Sequence, residues 1–307
     1  MAEGAGHATA EMDSAGGSLP VTDAHLHLWD LGAGGYAWLA GAPEGLRRDA
    51  RWEETAAAHA RLGVRRVILV QADDTLADTR ALQAQAARIE AGPCPVDRAD
   101  VVAWLPLDDP AGTAEILQDP ARSRGVVGAR HLVHDDPDPG FLDRPTVRSS
   151  LAMLAERGLA LDVPDAFPRH LIQAARVADD VEGLTVVLDH LGKPPLGDAP
   201  GMDRWEAQLR AFAGRPGSVA KLSGLSTSGA GHQDEAELRR AVELALEIFG
   251  PRRLLFGSDW PIAPRPFDLT SGTDRLLTLL AELPDTERSQ ILSGTAERIY
   301  RRRDDRS

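Results

Sequence analysis

The run Asp23-Ala24-His25-Leu26-His27-Leu28-Trp29 sets two imidazoles two residues apart on a β-like segment. Side chains at i and i+2 share one face of a strand, so His25 and His27 project together. Two adjacent imidazoles are costly to bury unless they ligate a metal ion or find hydrogen-bond partners. His190 ends the apolar run Val186-Val187-Leu188-Asp189 just before Gly192-Lys193-Pro194, which places it at the C-terminal rim of its strand. Asp259 follows Leu254-Leu255-Phe256-Gly257-Ser258 and precedes Trp260-Pro261 rather than a helical pattern, so a ligand or catalytic role is expected ahead of helix capping. Arg130 carries a planar fork suited to a carboxylate or a polarised oxygen, with an ion pair to a neighbouring acid as the equal alternative. Tyr36, Trp38 and Trp260 could wall an apolar ring or simply pack their loops. Lys221 sits within an apolar run and must find a partner, and Lys193 reads as a loop lysine or ion-pair member.

Something has to bring these residues to one rim. Strands are expected at Val21–Trp29, Val64–Gln71, Val101–Leu107, Val126–Val133, Leu159–Val163, Thr185–His190, Ser218–Leu222 and Leu254–Asp259. Several are nearly continuous apolar runs, the pattern of parallel strands buried on both faces. Helical stretches rich in Ala, Leu, Arg and Glu lie between them, among them Glu53–Leu62, Thr75–Glu90, Val147–Arg157, Arg169–Val177, Met202–Ala213 and Asp234–Phe249. In the last, Leu238, Val242, Ala245 and Phe249 form a core-facing stripe. Asp285–Tyr300 closes the chain as a terminal helix. Eight such alternations predict an α/β fold, a (β/α)8 TIM barrel, with a doubly wound sheet as the alternative. The three histidines, the aspartate and the arginine all fall at strand C-termini, where barrel active sites lie.

Composition narrows the function. The chain has 307 residues, with 34 Lys plus Arg against 47 Asp plus Glu, so 34 − 47 gives −13. That charge disfavours nucleic acid and anionic membranes as partners and leaves a small-molecule substrate. The single Cys94 permits no intrachain disulfide, and no glycine-rich phosphate loop follows any strand. Residues 1–18 read as a solvated leader without the apolar stretch of a secretory signal, residues 19–300 as one domain, and 301–307 as a charged tail. No stretch is apolar enough to span a bilayer, so the expected location is cytoplasmic. A homo-oligomer is left open.

The stretches DAHLHLWD, GYAWL, VILVQA, DHLGKPP, KLSGL and FGSDWP occur in this order. In them the sequence resembles the amidohydrolase superfamily (amidohydrolase-related family 2), and within it the sugar-lactonase-like branch that includes enzymes similar to L-fuconolactonase, L-rhamnonolactonase and 2-pyrone-4,6-dicarboxylate lactonase. The resemblance runs from about Val21 to Tyr300. It implies a (β/α)8 fold with His25, His27, His190 and Asp259 as the polar centre, holding one divalent ion, zinc first. Metal-independent catalysis stays open, because some relatives of this branch are thought to work without metal. Strand four offers Arg130 and His131 and strand five Leu159-Ala160-Leu161-Asp162-Val163, so the bridging group and strand-five histidine of two-metal members are not evident.

The implied reaction is opening of a small lactone. Asp259 would take the proton of the attacking water and return it to the leaving alkoxide, and His25, His27 and His190 would hold the ion or donate hydrogen bonds to the carbonyl. His190 and Asp259 are thus the expected catalytic pair, with Arg130, Trp38, Tyr36 and Trp260 toward the substrate. A metal-dependent decarboxylase or hydratase of a small carboxylic acid on the same fold is the alternative, and a non-catalytic binding barrel a weaker one.

Overall fold

In a computed structural model, which describes residues 19–229, 234–262 and 269–302, eight parallel strands pair in chain order from β1 to β8. The strands are β1 (Val21–Leu26), β2 (Val64–Val70), β3 (Arg98–Ala103), β4 (Val126–Arg130), β5 (Ala160–Val163), β6 (Val186–Leu188), β7 (Ser218–Leu222) and β8 (Leu254–Phe256). The sheet closes between its last and first members. Asp259 N–H donates to the His25 carbonyl and His27 N–H to the Trp260 carbonyl, each at 2.8 Å. The result is a (β/α)8 barrel. The proposed leader and residues 303–307 of the proposed tail, Arg303 included, lie outside the described residues.

Helices α1 (Ala56–Arg61), α2 (Leu76–Ala91), α3 (Pro110–Gln118), α4 (Pro145–Glu156), α5 (Arg169–Asp180), α6 (Ala199–Ala213), α7 (Glu235–Phe249) and α8 (Leu269–Leu280) follow the strands in turn. Their starts are set by local chemistry. Thr75 accepts the Asp78 N–H ahead of α2, and Asp234 accepts the N–H groups of Ala236 and Glu237 ahead of α7. In α7 the expected stripe is the packed face, with Val242, Ala245 and Phe249 buried and Leu238 half-buried against the core. The terminal helix is interrupted: α9 (Asp285–Ser289) and α10 (Thr295–Ile299) are joined by a wider turn at Gln290–Gly294.

The barrel interior is layered. Ala24, Ile68, Val70, Val102, Val127, Ala160, Val187, Val219 and Leu255 fill it, and Ala296, Ile299 and Tyr300 of the terminal segment pack onto that set. Two residues further along, within β5 and β7 and just past the end of β6, alternation turns Asp162, Lys221 and Asp189 into the same interior, one layer nearer the C-terminal mouth. On β1 an irregularity sets three steps (Asp23 to Leu26) against two on β2 (Val67 to Leu69). Such a bulge shifts side-chain parity, so Ala24 belongs to the interior cluster while Leu26 packs outward against the helices. His25 and His27 thereby face the mouth. Arg302, in the stretch read as a charged tail, pairs with the buried Asp100 at 2.5 Å.

Candidate active site

Six of the expected strands end sooner than expected, and in three of them this moves the site residues off the strand. β1 stops at Leu26, β6 at Leu188 and β8 at Phe256, so His27, His190 and Asp259 stand on the loops just beyond. His190, Leu191, Lys193 and Asp259 have φ of 55°, 53°, 67° and 57°. Left-handed backbone at non-glycine residues is strained, and here it is concentrated where side chains must be aimed into the mouth. Glycine supplies the remaining clearance. A Cβ on Gly224 (φ 56°) would fall 2.4 Å from His190 Nδ1 and 2.6 Å from Asp259 Oδ2, and one on Gly257 would fall 2.6 Å from His25 Cβ. The glycines of KLSGL and FGSDWP are therefore close-approach positions.

His25 Nε2 and His27 Nε2 lie 3.0 Å apart, and Asp259 Oδ1 is 3.6 Å from each and 3.8 Å from His190 Nε2. All four residues are buried. The outer nitrogens are held from behind. His27 Nδ1 meets the Val70 carbonyl at 2.9 Å, and because a carbonyl only accepts, that nitrogen carries the proton and Nε2 presents its lone pair. His190 Nδ1 is 2.9 Å from Ser223 Oγ. His25 Nδ1 sits 3.2 Å from Asp189 Oδ1 and 3.0 Å from Lys221 Nζ.

Protonation follows burial and neighbours. Burial drives the His25 and His190 imidazoles below their ordinary value, which keeps them neutral. Burial alone would raise Asp259, but His190, His27 and His25 outweigh it and hold its carboxyl well below the usual carboxylate range. Neutral His25 and His190 beside an ionised Asp259 are in the state a cation requires of its ligands.

The residues present fit a divalent ion. Ligands of a tetrahedral zinc at about 2.0–2.1 Å stand roughly 3.3–3.4 Å from one another; here the His25–His27 separation and those from Asp259 Oδ1 to each of the three histidines run from 3.0 to 3.8 Å. Asp259 Oδ2 is buried and has no hydrogen-bond partner, as expected of an oxygen whose partner is supplied by the reaction. His25, His27 and Asp259 form a cluster with ligand-atom spacing, and His25, Asp189 and His190 form another sharing the same imidazole.

A cavity of about 200 Å³ opens beside this centre, lined by His27, His190 and Asp259 together with Trp38, Ala72, Arg130, Leu132, His134, Asp135, Pro164, Asp165, Lys193 and Ile262. The other expected residues divide. Arg130 reaches the cavity but is also committed, donating to Asp189 Oδ2 at 2.9 Å, while its buried Nε has no partner. Trp38 is a wall. Tyr36 and Trp260 are buried and are not among the lining residues. Trp260 instead contributes its backbone to barrel closure. Lys193 pairs with Asp165 at 3.6 Å on the rim. His131 stacks on Phe141 and faces Asp136 and Asp74, away from the centre.

The residues hardest to read from sequence lie one layer beneath. Lys221, fully buried, meets Asp162 Oδ2 at 2.5 Å, Asp189 Oδ1 at 2.9 Å and His25 Nδ1 at 3.0 Å. The Tyr300 hydroxyl donates to both oxygens of Asp162, at 2.9 and 2.8 Å. Burial raises Asp162 to about 6, whereas Lys221 and His25 bring Asp189 well below the ordinary carboxylate value against the effect of its burial. Asp23 accepts from the N–H groups of His25 and Ser258 and pairs with His59, which ties β1 to the β8 loop.

Residues 22–302 match the family model described as Amidohydrolase. An L-fucono-1,5-lactonase of Burkholderia multivorans is 32% identical over 304 residues, 92% of this chain and 96% of that protein. An L-fucono-1,5-lactonase of Burkholderia ambifaria is 31% identical over 244 residues, 78% of this chain and 80% of that protein. A crystal structure of an amidohydrolase from Burkholderia multivorans with bound zinc superposes with a TM-score of 0.79 at 28% identity, covering 91% of this chain and 98% of that one. With its mouth built from HxH, a rim histidine and a rim aspartate, and its match to that model over almost the whole barrel, the chain belongs to the amidohydrolase family.

Proposed function

We propose that this hydrolase opens the ester bond of a small lactone, a sugar lactone or a related carboxylated one. The carrying observation is that Asp259 Oδ1 stands 3.6–3.8 Å from the Nε2 atoms of His25, His27 and His190, at a cavity lined by His27, His190 and Asp259, while its other carboxylate oxygen is buried without a partner. The likeness to two L-fucono-1,5-lactonases supports a sugar ring. A cavity of about 200 Å³ lies below the usual range of about 300–1,000 Å³ for ligand pockets, which favours one small ring over an oligomer.

The chemistry needs a polarised carbonyl, an activated water and a proton for the departing ring oxygen. A divalent ion held by His25, His27, His190 and Asp259, zinc by analogy with the Burkholderia multivorans structure, would supply the Lewis acidity that polarises the carbonyl and acidifies water. Asp259 is ionised at neutral pH, so its Oδ2 can accept the proton of the water as the new C–O bond forms. The same proton passes to the ring oxygen as the old C–O bond breaks, giving a hydroxy acid. His190, its Nδ1 held by Ser223, would be a ligand of that ion beside the aspartate. Arg130 directs its guanidinium to a substrate oxygen from across the cavity, and Trp38 packs against the ring.

The test is a lactone panel followed with a pH indicator, since each ring opening releases an acid, on protein of measured metal content. Turnover should follow metal content through stripping and zinc return. Asp259→Asn should lower kcat by roughly 10²-fold or more with an unchanged circular dichroism melt. Near-normal turnover by the folded variant would remove Asp259 from the role, and turnover undiminished in metal-free protein would leave the histidines as hydrogen-bond donors.

A further inference from the structure

Tyr36 is buried on the loop that follows β1, two residues before the cavity wall Trp38, and its backbone is left-handed at φ 38°. A strained conformation at a large aromatic residue persists only where surroundings over-determine it. They do so here. The ring packs on the bare Gly34, where a Cβ would come within 2.7 Å of it. The hydroxyl donates at 2.8 Å to Oδ1 of Asp78, a fully buried carboxylate in the first turn of α2. Asp78 Oδ2 in turn accepts the Ala72 N–H at 3.0 Å, and the Ala72 carbonyl accepts the Trp38 indole N–H at 2.7 Å. One residue just after β2 is therefore gripped on both sides, by Asp78 at its N–H and by Trp38 at its carbonyl. Trp29 meets Trp38 edge-on, with ring centroids 5.4 Å apart. Trp38 and Ala72 both line the cavity.

We propose that Tyr36 and Asp78 are a positioning pair: they set the β1 loop against α2 so that the Trp38 indole stands as the wall on which the substrate ring rests. Tyr36 thus acts on the substrate through Trp38. The wall touches the part of the substrate that does not react, so it binds ground state and transition state alike. Its loss raises KM and leaves kcat in place. The KM prediction rests on the lactone reading of the cavity; the placement of the indole does not.

The experiment compares wild type, Tyr36→Phe, Trp38→Leu and the double variant, zinc-loaded at pH 8, in lactone turnover and in acrylamide quenching of tryptophan fluorescence. The contribution of Trp38 among the 6 tryptophans is the difference made by Trp38→Leu. Tyr36→Phe should raise KM roughly tenfold with kcat within about twofold of wild type, and the indole should become more accessible to quencher. The double variant should be no worse than Trp38→Leu alone, because the tyrosine acts through the tryptophan. Unchanged KM, a fall confined to kcat, or additive effects would overturn the proposal. Should wild type open no lactone, the lactone reading fails, and quenching decides this one: Trp38 accessibility unchanged by Tyr36→Phe refutes it. Asp78→Asn, which turns one acceptor oxygen into a donor, serves the same comparison if Tyr36→Phe does not fold.

Discussion

A histidine becomes a ligand or a donor through what stands behind it. The Val70 carbonyl assigns the proton of His27 to Nδ1, and burial keeps His25 and His190 neutral. None of those partners is adjacent in sequence, which is why HxH alone announced a pair of imidazoles without their tautomers. Asp78 illustrates the same limit. In the sequence it is one more acid in the first turn of a helix, where carboxylates are commonplace. In the fold, burial pushes it up to about 7 despite the hydrogen bonds from Tyr36 and Ala72. A carboxyl raised on folding stabilises the native state only while protonated. The unfolded chain ionises it near pH 4 and the folded chain near 7, so stability falls as pH rises between these values. Three units correspond to at most about 4 kcal/mol. Urea titrations at pH 4.5 and 7.5 should show Asp78→Asn losing less stability than wild type over that interval; equal losses would show that Asp78 is ionised throughout.

At the level of elements, periodicity located the eight strands and their order, and the stripe of α7 packs as its spacing predicts. Strand ends were less legible. Val186-Val187-Leu188-Asp189-His190 reads as unbroken strand, yet the ladder stops at Leu188 because His190 and Leu191 turn left-handed, a conformation their residue types disfavour. The bulge in β1 was equally invisible, since Asp23-Ala24-His25 is ordinary strand composition. The glycines carried a signal that could have been used: Gly224 in KLSGL leaves room for His190 and Asp259. Gly224→Ala imposes both a Cβ at 2.4 Å from His190 Nδ1 and an unfavourable φ of 56°. It should cost roughly 1–3 kcal/mol of stability and most of the capacity to hold the proposed divalent ion, read by denaturation and by metal analysis after zinc loading. Full zinc occupancy in the variant would mean that the loop yields without moving the ligands.

For the molecule as a whole, the charge of −13 is counted over every residue, and the residues counted include a charged set inside the barrel. Lys221 binds Asp162 and Asp189, Arg130 binds Asp189, and Tyr300 from the terminal segment closes the set on Asp162. A lysine in an apolar run demanded a partner, but the partners come from β5 and β6 and could be named only after the barrel was closed. Lys221→Met strands two buried carboxylates and should cost about 3–5 kcal/mol in urea unfolding. Tyr300→Phe removes one donor and should cost about 1–3 kcal/mol. A loss from Lys221→Met no larger than that from Tyr300→Phe would mean that the carboxylates take up protons rather than remain charged.

The bonds that close the barrel run between the peptides of His25 and Asp259 and of His27 and Trp260, and the Asp23 carboxylate reaches Ser258 across 235 residues of sequence. The seam of the cylinder and the proposed seat of the chemistry are the same few atoms. Contacts of such long range close the longest loops of the chain, and such closure is entropically costly and slow. A chain still emerging from the ribosome, or one whose last strand has come away, has an aspartate and two histidines with nothing to hold them together. If the proposed site carries the reaction, hydrolysis reports that the circle has been completed, and the return of turnover in a refolding sample should follow ring closure.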